Sequence, residues 1–97
     1  MKTTNTGILV ENAQNGSRPA FDQLLSRYYS RLLNTIKARV GNEEDAEDIL
    51  QTVCLKAYMR LKSFKHTSSF YTWIYAIALN NIKDHWKSLK QRHVTEH

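Results

Sequence analysis

Thr72, Ala76, Asn80, Lys83, Lys87 and Lys90 recur at steps of three and four residues. On a helix that spacing puts all six on one face. Lysines there can neutralise phosphates, the small Ala76 permits close approach, and the Asn80 amide can hydrogen-bond a base edge. Just upstream, the loop Lys65, His66, Thr67, Ser68 and Ser69 is polar, with Phe64 at its root. The stretch FKHTSSFYTWIYAIALNN, Phe64 to Asn81, also contains Phe70, Tyr71, Trp73 and Tyr75. A polar loop with an aromatic root can form a pocket for an unstacked base, and stacking on a ring contributes about 1–3 kcal/mol per base. Rings beside a basic face therefore point to single-stranded or opened nucleic acid. A small domain also needs large side chains in its core. The helical phase turns Phe70, Ile74, Ile77 and Ala78 inward, leaves Trp73 and Tyr75 at the boundary, and allows Phe64 and Tyr71 to face either way. Phe64, the loop, Tyr75 and Asn80 form the side expected to await a base.

Charge is divided along the chain in the same sense. Residues 1–55 carry six bases against seven acids; residues 56–97 carry Lys56, Arg60, Lys62, Lys65, Lys83, Lys87, Lys90 and Arg92 against only Asp84 and Glu96. A basic half suits a phosphate-rich partner, because each contact releases counterions. It also solubilises, so charge alone leaves both uses open. Catalytic readings have little support. There is no nucleophile–His–acid arrangement, Gly-rich phosphate loop or HExxH motif. His66, His85, His93 and His97 lack metal-ligand spacing, and the one cysteine, Cys54, cannot form an internal disulfide. The expectation is a non-enzyme with no cofactor and no metal site.

The elements that must hold this face are helical. With 97 residues, three glycines and one proline, the chain suits one small all-α domain, a compact bundle of about four helices. A short helix near Thr6 to Asn15 stops at Gly16. Ser17 and Pro19 open a second, whose apolar face is Phe21, Leu24, Leu25, Tyr28, Leu32, Ile36 and Val40, closed by Gly41. Asn42 caps a third, with Glu43, Glu44, Asp45, Glu47 and Asp48 near the positive end of its dipole. Its stripe is Ala46, Ile49, Leu50, Val53, Cys54, Ala57, Tyr58 and Leu61. Ser68 or Ser69 caps the fourth, whose inner face continues to Ile82 or His85 and Leu89. No apolar run is long enough to span a bilayer and no signal-peptide core is present, which predicts a cytoplasmic protein without membrane contact.

Leu55 and Met59 fall on the outer side of the third helix, beside Asp48 and Thr52 and edged by Gln51. An apolar pair rimmed by polar groups can dock another protein. It can equally be ordinary surface, or lie beneath the first helix.

The segments AFDQLLSRYYSRLL, DAEDILQTVCLKAYMRLKSF and SSFYTWIYAIALNNIKDHW together resemble region 2 of bacterial RNA polymerase sigma factors of the extracytoplasmic-function (ECF) type. The resemblance runs from residue 17 to 92. It implies a role in transcription initiation: docking on the β′ clamp helices of core RNA polymerase through Asp48, Gln51, Thr52, Leu55 and Met59, and recognising and melting the promoter −10 element. The non-template single strand would be held by Lys56, Phe64, Lys65, His66, Thr67, Ser68, Ser69, Trp73, Tyr75, Ala76, Asn80, Lys83 and Lys87. An anti-sigma factor is a further partner the resemblance admits. Four positions depart from the family pattern. Thr52 stands where an acid is common, His66 and Thr67 where a Gly and an acid are frequent, and Ala76 where an Arg is common. Residues 1–16 are expected as a short N-terminal helix, 17–93 as the region 2 domain, and 94–97 as tail or linker, with the −35-binding domain of family members absent. The alternative from another class is a sigma-like adaptor or decoy that binds protein and never melts DNA.

Overall fold

The computed structural model describes residues 5–95, with side chains from 6 to 91. Four helices follow one another: α1 (Asn5–Gln14), α2 (Arg18–Val40), α3 (Glu43–Arg60) and α4 (Phe70–Thr95). A 3-10 turn, Leu61–Ser63, extends α3 towards the loop before α4. The caps are those the residue types dictate. Ser17 is extended and its hydroxyl accepts from the Ala20 amide at 3.2 Å. Asn42 Oδ1 accepts from the Asp45 amide at 3.0 Å. At α4, Ser69 is the capping residue, its Oγ accepting from the Thr72 amide at 3.1 Å. Each satisfies a helix-terminal N–H that would otherwise lack a partner.

α2 is central. It packs against α1, α3 and α4, while α3 and α4 pack on each other and α1 also touches the 3-10 turn. The core forms where their apolar faces meet: Val10 from α1, Leu24, Leu32 and Ile36 from α2, Leu50 and Val53 from α3, and Ile74 from α4 are fully buried. Removing such a side chain from water contributes about 1.5–3 kcal/mol. Among described residues no strand is present.

Two expected core positions are corrected. Tyr58 is 49% exposed, because its ring meets α2 on one side only. Its ring packs against Phe21 at 5.1 Å, and the Arg18 guanidinium lies 5.0 Å from its centre. Leu89 is also exposed, beside Trp86. α4 has 26 residues and α3 has 18, so at about 1.5 Å per residue α4 outruns its neighbour by about 12 Å. Among its described side chains Ile82 is the last buried apolar one, and His85, half-buried, lies 3.9 Å from Asp45. The helix continues into the expected tail 94–97, of which residues 96 and 97 lie outside the described set.

The α2–α3 corner turns on Gly41 at φ 77°, its amide donating to the Lys37 carbonyl at 2.8 Å. A Cβ there would meet nothing within 4 Å, so the demand for glycine is purely conformational. Gly41→Ala is expected to lower stability by about 1 kcal/mol, read as a lower urea midpoint with unchanged slope; an unchanged midpoint would contradict this account of the corner.

Candidate nucleic-acid interface and docking face

The loop between the 3-10 turn and α4 is held from below. Phe64, at its root, is only 6% exposed. It packs against Trp73 at 5.2 Å and edge-on against Phe70 at 6.2 Å. The expectation that Phe64 offers a free stacking ring is corrected: the loop folds back over it, and its edge becomes part of a cavity floor. That cavity, about 320 Å³, is lined by Thr6, Gly7, Val10, Tyr28, Phe64, His66, Ser68, Ser69 and Phe70. Trp73 is half-buried against Phe64 and Phe70. Lys65, His66, Thr67, Ser68 and Ser69 are exposed.

A second tie comes from α1. Gln14 Nε2 donates to the carbonyls of Leu61 at 3.0 Å and Phe64 at 2.8 Å. That orientation leaves Gln14 Oε1 to accept from His66 Nε2 at 3.0 Å, which selects the tautomer protonated at Nε2. The His66 ring also lies 4.8 Å from that of Phe64. His66 adopts φ 61°, a left-handed conformation that costs a non-glycine residue about 1–3 kcal/mol. A glycine would adopt it freely. Here the Gln14 bond and the Phe64 contact hold a histidine in it instead.

On α4, Thr72, Ala76, Asn80, Lys83, Lys87 and Lys90 are all exposed on one side. The three lysines have no carboxylate within ion-pair distance among the described residues, so their charge remains available to a ligand. Tyr75 is half-buried, and its hydroxyl accepts from Arg39 at 3.1 Å. Lys56 reaches across from α3 and donates to Asn81 Oδ1 at 3.0 Å, while Asn81 Nδ2 donates to the Ile77 carbonyl at 2.8 Å. The buried Asn81 therefore holds the Lys56 ammonium at the α3–α4 seam, one residue from Asn80. Sequence reasoning missed Asn81, although it continues the inward phase of Ile74, Ile77 and Ala78. It missed Gln14 too, with no available signal, since α1 and the loop are brought together only by the fold.

The docking candidates lie on a different side. Asp48, Gln51, Thr52, Leu55 and Met59 are all exposed on α3, with Leu55 at 60% and Met59 at 72%. α1 does not cover them. Cys54, beside Leu55, is half-buried, and burial pushes its thiol above the ordinary range, which disfavours the reactive thiolate. Among described residues no group of His, Cys, Asp and Glu could hold a metal ion, and no helix is long and apolar enough to cross a membrane.

Residues 24–92 match the sigma-70 region 2 family. The RNA polymerase sigma-H factor of Pseudomonas aeruginosa is 42% identical over 77 residues, covering 79% of this chain and 40% of that protein. The ECF RNA polymerase sigma-E factor of Escherichia coli K12 is 38% identical over 78 residues, covering 80% and 40%. The chain thus spans about two-fifths of the length of these relatives. Among solved structures, an engineered region 2 of sigmaE in complex with GTAAAA superposes with a TM-score of 0.83 at 33% identity, covering 95% of this chain and 97% of that one.

The Gln14 tie has a measurable consequence. Gln14→Ala is expected to speed amide exchange across residues 65–69 and to cost about 1–3 kcal/mol through its unpaired partners, with helicity unchanged. His66→Gly in the same background should recover part of that loss by removing the left-handed strain. No recovery would mean that φ at residue 66 is not what Gln14 supports.

Proposed function

The chain belongs to the sigma-70 region 2 family, and on that premise we propose that it docks on core RNA polymerase and opens and reads the −10 element of a promoter. One observation carries the reading: Asn80 is exposed midway along a single face of α4, between the small Ala76 and unpaired Lys83 and Lys87. Such a face can follow a strand's phosphates with its lysines while the amide reads a base edge. The loop cavity beside it, floored by Phe64 and rimmed by His66, Ser68 and Ser69, is an apolar recess with hydroxyl donors, suited to a base turned out of its stack.

The mechanism is non-enzymatic and the setting is cytoplasmic. Contacts to unpaired bases and strand phosphates exist only once the duplex is open, so their binding energy offsets the cost of unpairing. No covalent step and no cofactor is needed. Lys56, held by Asn81, and Lys65 add positive charge near Asn80 and the loop, while Trp73 and Tyr75 flank the track. His66, which lines the recess, and its exposed neighbour Thr67 are the positions expected to set which base is preferred. On the opposite flank, Leu55 and Met59, rimmed by Asp48, Gln51 and Thr52, form the surface for the β′ clamp helices. An anti-sigma factor would act by covering either face. The engineered sigmaE relative bound to GTAAAA supports the strand-binding half of this reading.

Two measurements test it. With core polymerase, the chain should bind a single-stranded probe containing GTAAAA more tightly than the matching duplex, and Asn80→Ala should reduce that preference about tenfold, as the loss of one base contact predicts. Equal affinity for strand and duplex would remove the melting role. Leu55→Asp should abolish capture on immobilised β′ clamp helices while circular dichroism stays unchanged; undiminished capture would put the polymerase surface elsewhere.

A further inference from the structure

The α4 face has an electrostatic gap. From Phe70 to Ile82 the helix contains no charged residue at all; its lysines begin at Lys83. A strand lying along Thr72, Ala76 and Asn80 meets no cation from α4 itself over that half of the track. The neighbouring helix supplies two. Arg31 and Arg39 of α2 are both exposed, and neither has a carboxylate within ion-pair distance among the described residues. Both are instead held by rings at the edge of the α4 face. The Arg31 guanidinium lies 4.0 Å from the centre of Tyr71, and Arg39 donates to the Tyr75 hydroxyl at 3.1 Å. Tyr71 and Tyr75 stack one helical turn apart, 5.8 Å between centres and 22° between planes. Tyr28 closes on Tyr71 from α2 at 5.5 Å.

We infer that Arg31 and Arg39 form a second phosphate-binding edge for nucleic acid, on α2, with the stacked tyrosines as its support. A guanidinium held against a ring is ordered before any ligand arrives, so less side-chain freedom is lost on binding. A planar guanidinium contacting a ring or hydroxyl still has N–H donors directed outwards, and its fork matches two phosphate oxygens. Eight residues separate the two arginines, about 12 Å along α2. That exceeds three times the 3.4 Å axial rise per phosphate of one strand in B-form DNA, so they reach different phosphates. Tyr71 is thereby assigned: with Arg31, Tyr28 and Tyr75 around its ring, it supports a cation and does not stack a base.

The inference rests on the strand-binding reading of α4, and the test separates the two. The full chain is titrated with a fluorescent single-stranded oligonucleotide, oligo-dT, across a salt series, and the slope of log association constant against log salt is read. Arg31→Gln and Arg39→Gln should each reduce the slope by about 0.7, the contribution of one single-strand phosphate contact. Arg31→Lys and Arg39→Lys, which keep the charge, should retain the slope even where thermal stability falls. Lys37→Gln is the charge control, since Lys37 is already paired with Glu43 at 2.6 Å, and should leave the slope unchanged. A normal slope for both Gln variants, with Lys83→Gln lowering it, overturns the inference while the α4 track stands. Loss of slope in the Lys variants equal to that in the Gln variants makes the arginines helix-packing groups only and equally overturns it. No effect from Lys83→Gln either removes the strand-binding reading itself.

Discussion

Phe64 is where the core and the presented surface become one problem. Its ring is packed by Phe70 and Trp73 from α4 and covered by His66 from its own loop. Moving it would release the loop from the bundle and free the first turn of α4 together. Because that ring is buried, the loop above it has a floor and the helix after it has a fixed starting phase. Every residue on the outer face of α4, from Thr72 to Lys90, inherits its direction from that phase. A candidate binding surface on a protein of this size cannot be independent of the core; here the two share a single side chain.

The rest of the surface is arranged around what the core leaves unneutralised. The acids of α3's first turns are used locally: Glu43 pairs with Lys37, which holds its carboxyl below the usual range, and Asp45 lies near His85. Lys83, Lys87 and Lys90 of α4 and Arg31 and Arg39 of α2 have no such partners among the described residues. Charge separation in the sequence thus becomes charge separation in space, with basic groups around α4 and the apolar pair Leu55 and Met59 on another side of α3. Two faces of unlike chemistry on one small bundle suit the proposed role of holding a protein partner and a nucleic-acid strand at once.

The loop shows how a left-handed non-glycine residue is accommodated. A left-handed residue is needed to turn the chain over Phe64, and this protein supplies a histidine at φ 61°. Gln14 stabilises it from another helix and simultaneously satisfies the carbonyls of Leu61 and Phe64. α1 is therefore more than an N-terminal appendage. It is the clamp that keeps the recess in shape, and its Val10, Thr6 and Gly7 complete the recess wall.

What the sequence determined by itself was local and periodic. Ser17, Gly41 and Asn42 mark helix ends because capping is a bond between near neighbours, while the choice between Ser68 and Ser69 fell to the structure. The exposed face of α4 and the Leu55–Met59 pair were legible because helical phase is set residue by residue. Phase failed at Tyr58, which meets Phe21 of α2 on one side only and stays exposed, and at Leu89, which keeps the apolar rhythm but is also exposed. Phase could not be applied to Phe64, which precedes a turn and not a helix. The tertiary structure alone decided its burial, the Gln14 clamp on residues about fifty positions away, the Lys56–Asn81 bond, and the seating of Arg31 and Arg39 on Tyr71 and Tyr75. Each depends on the distance between elements that the chain itself keeps far apart. Periodicity says which way a side chain points; only packing says what it meets.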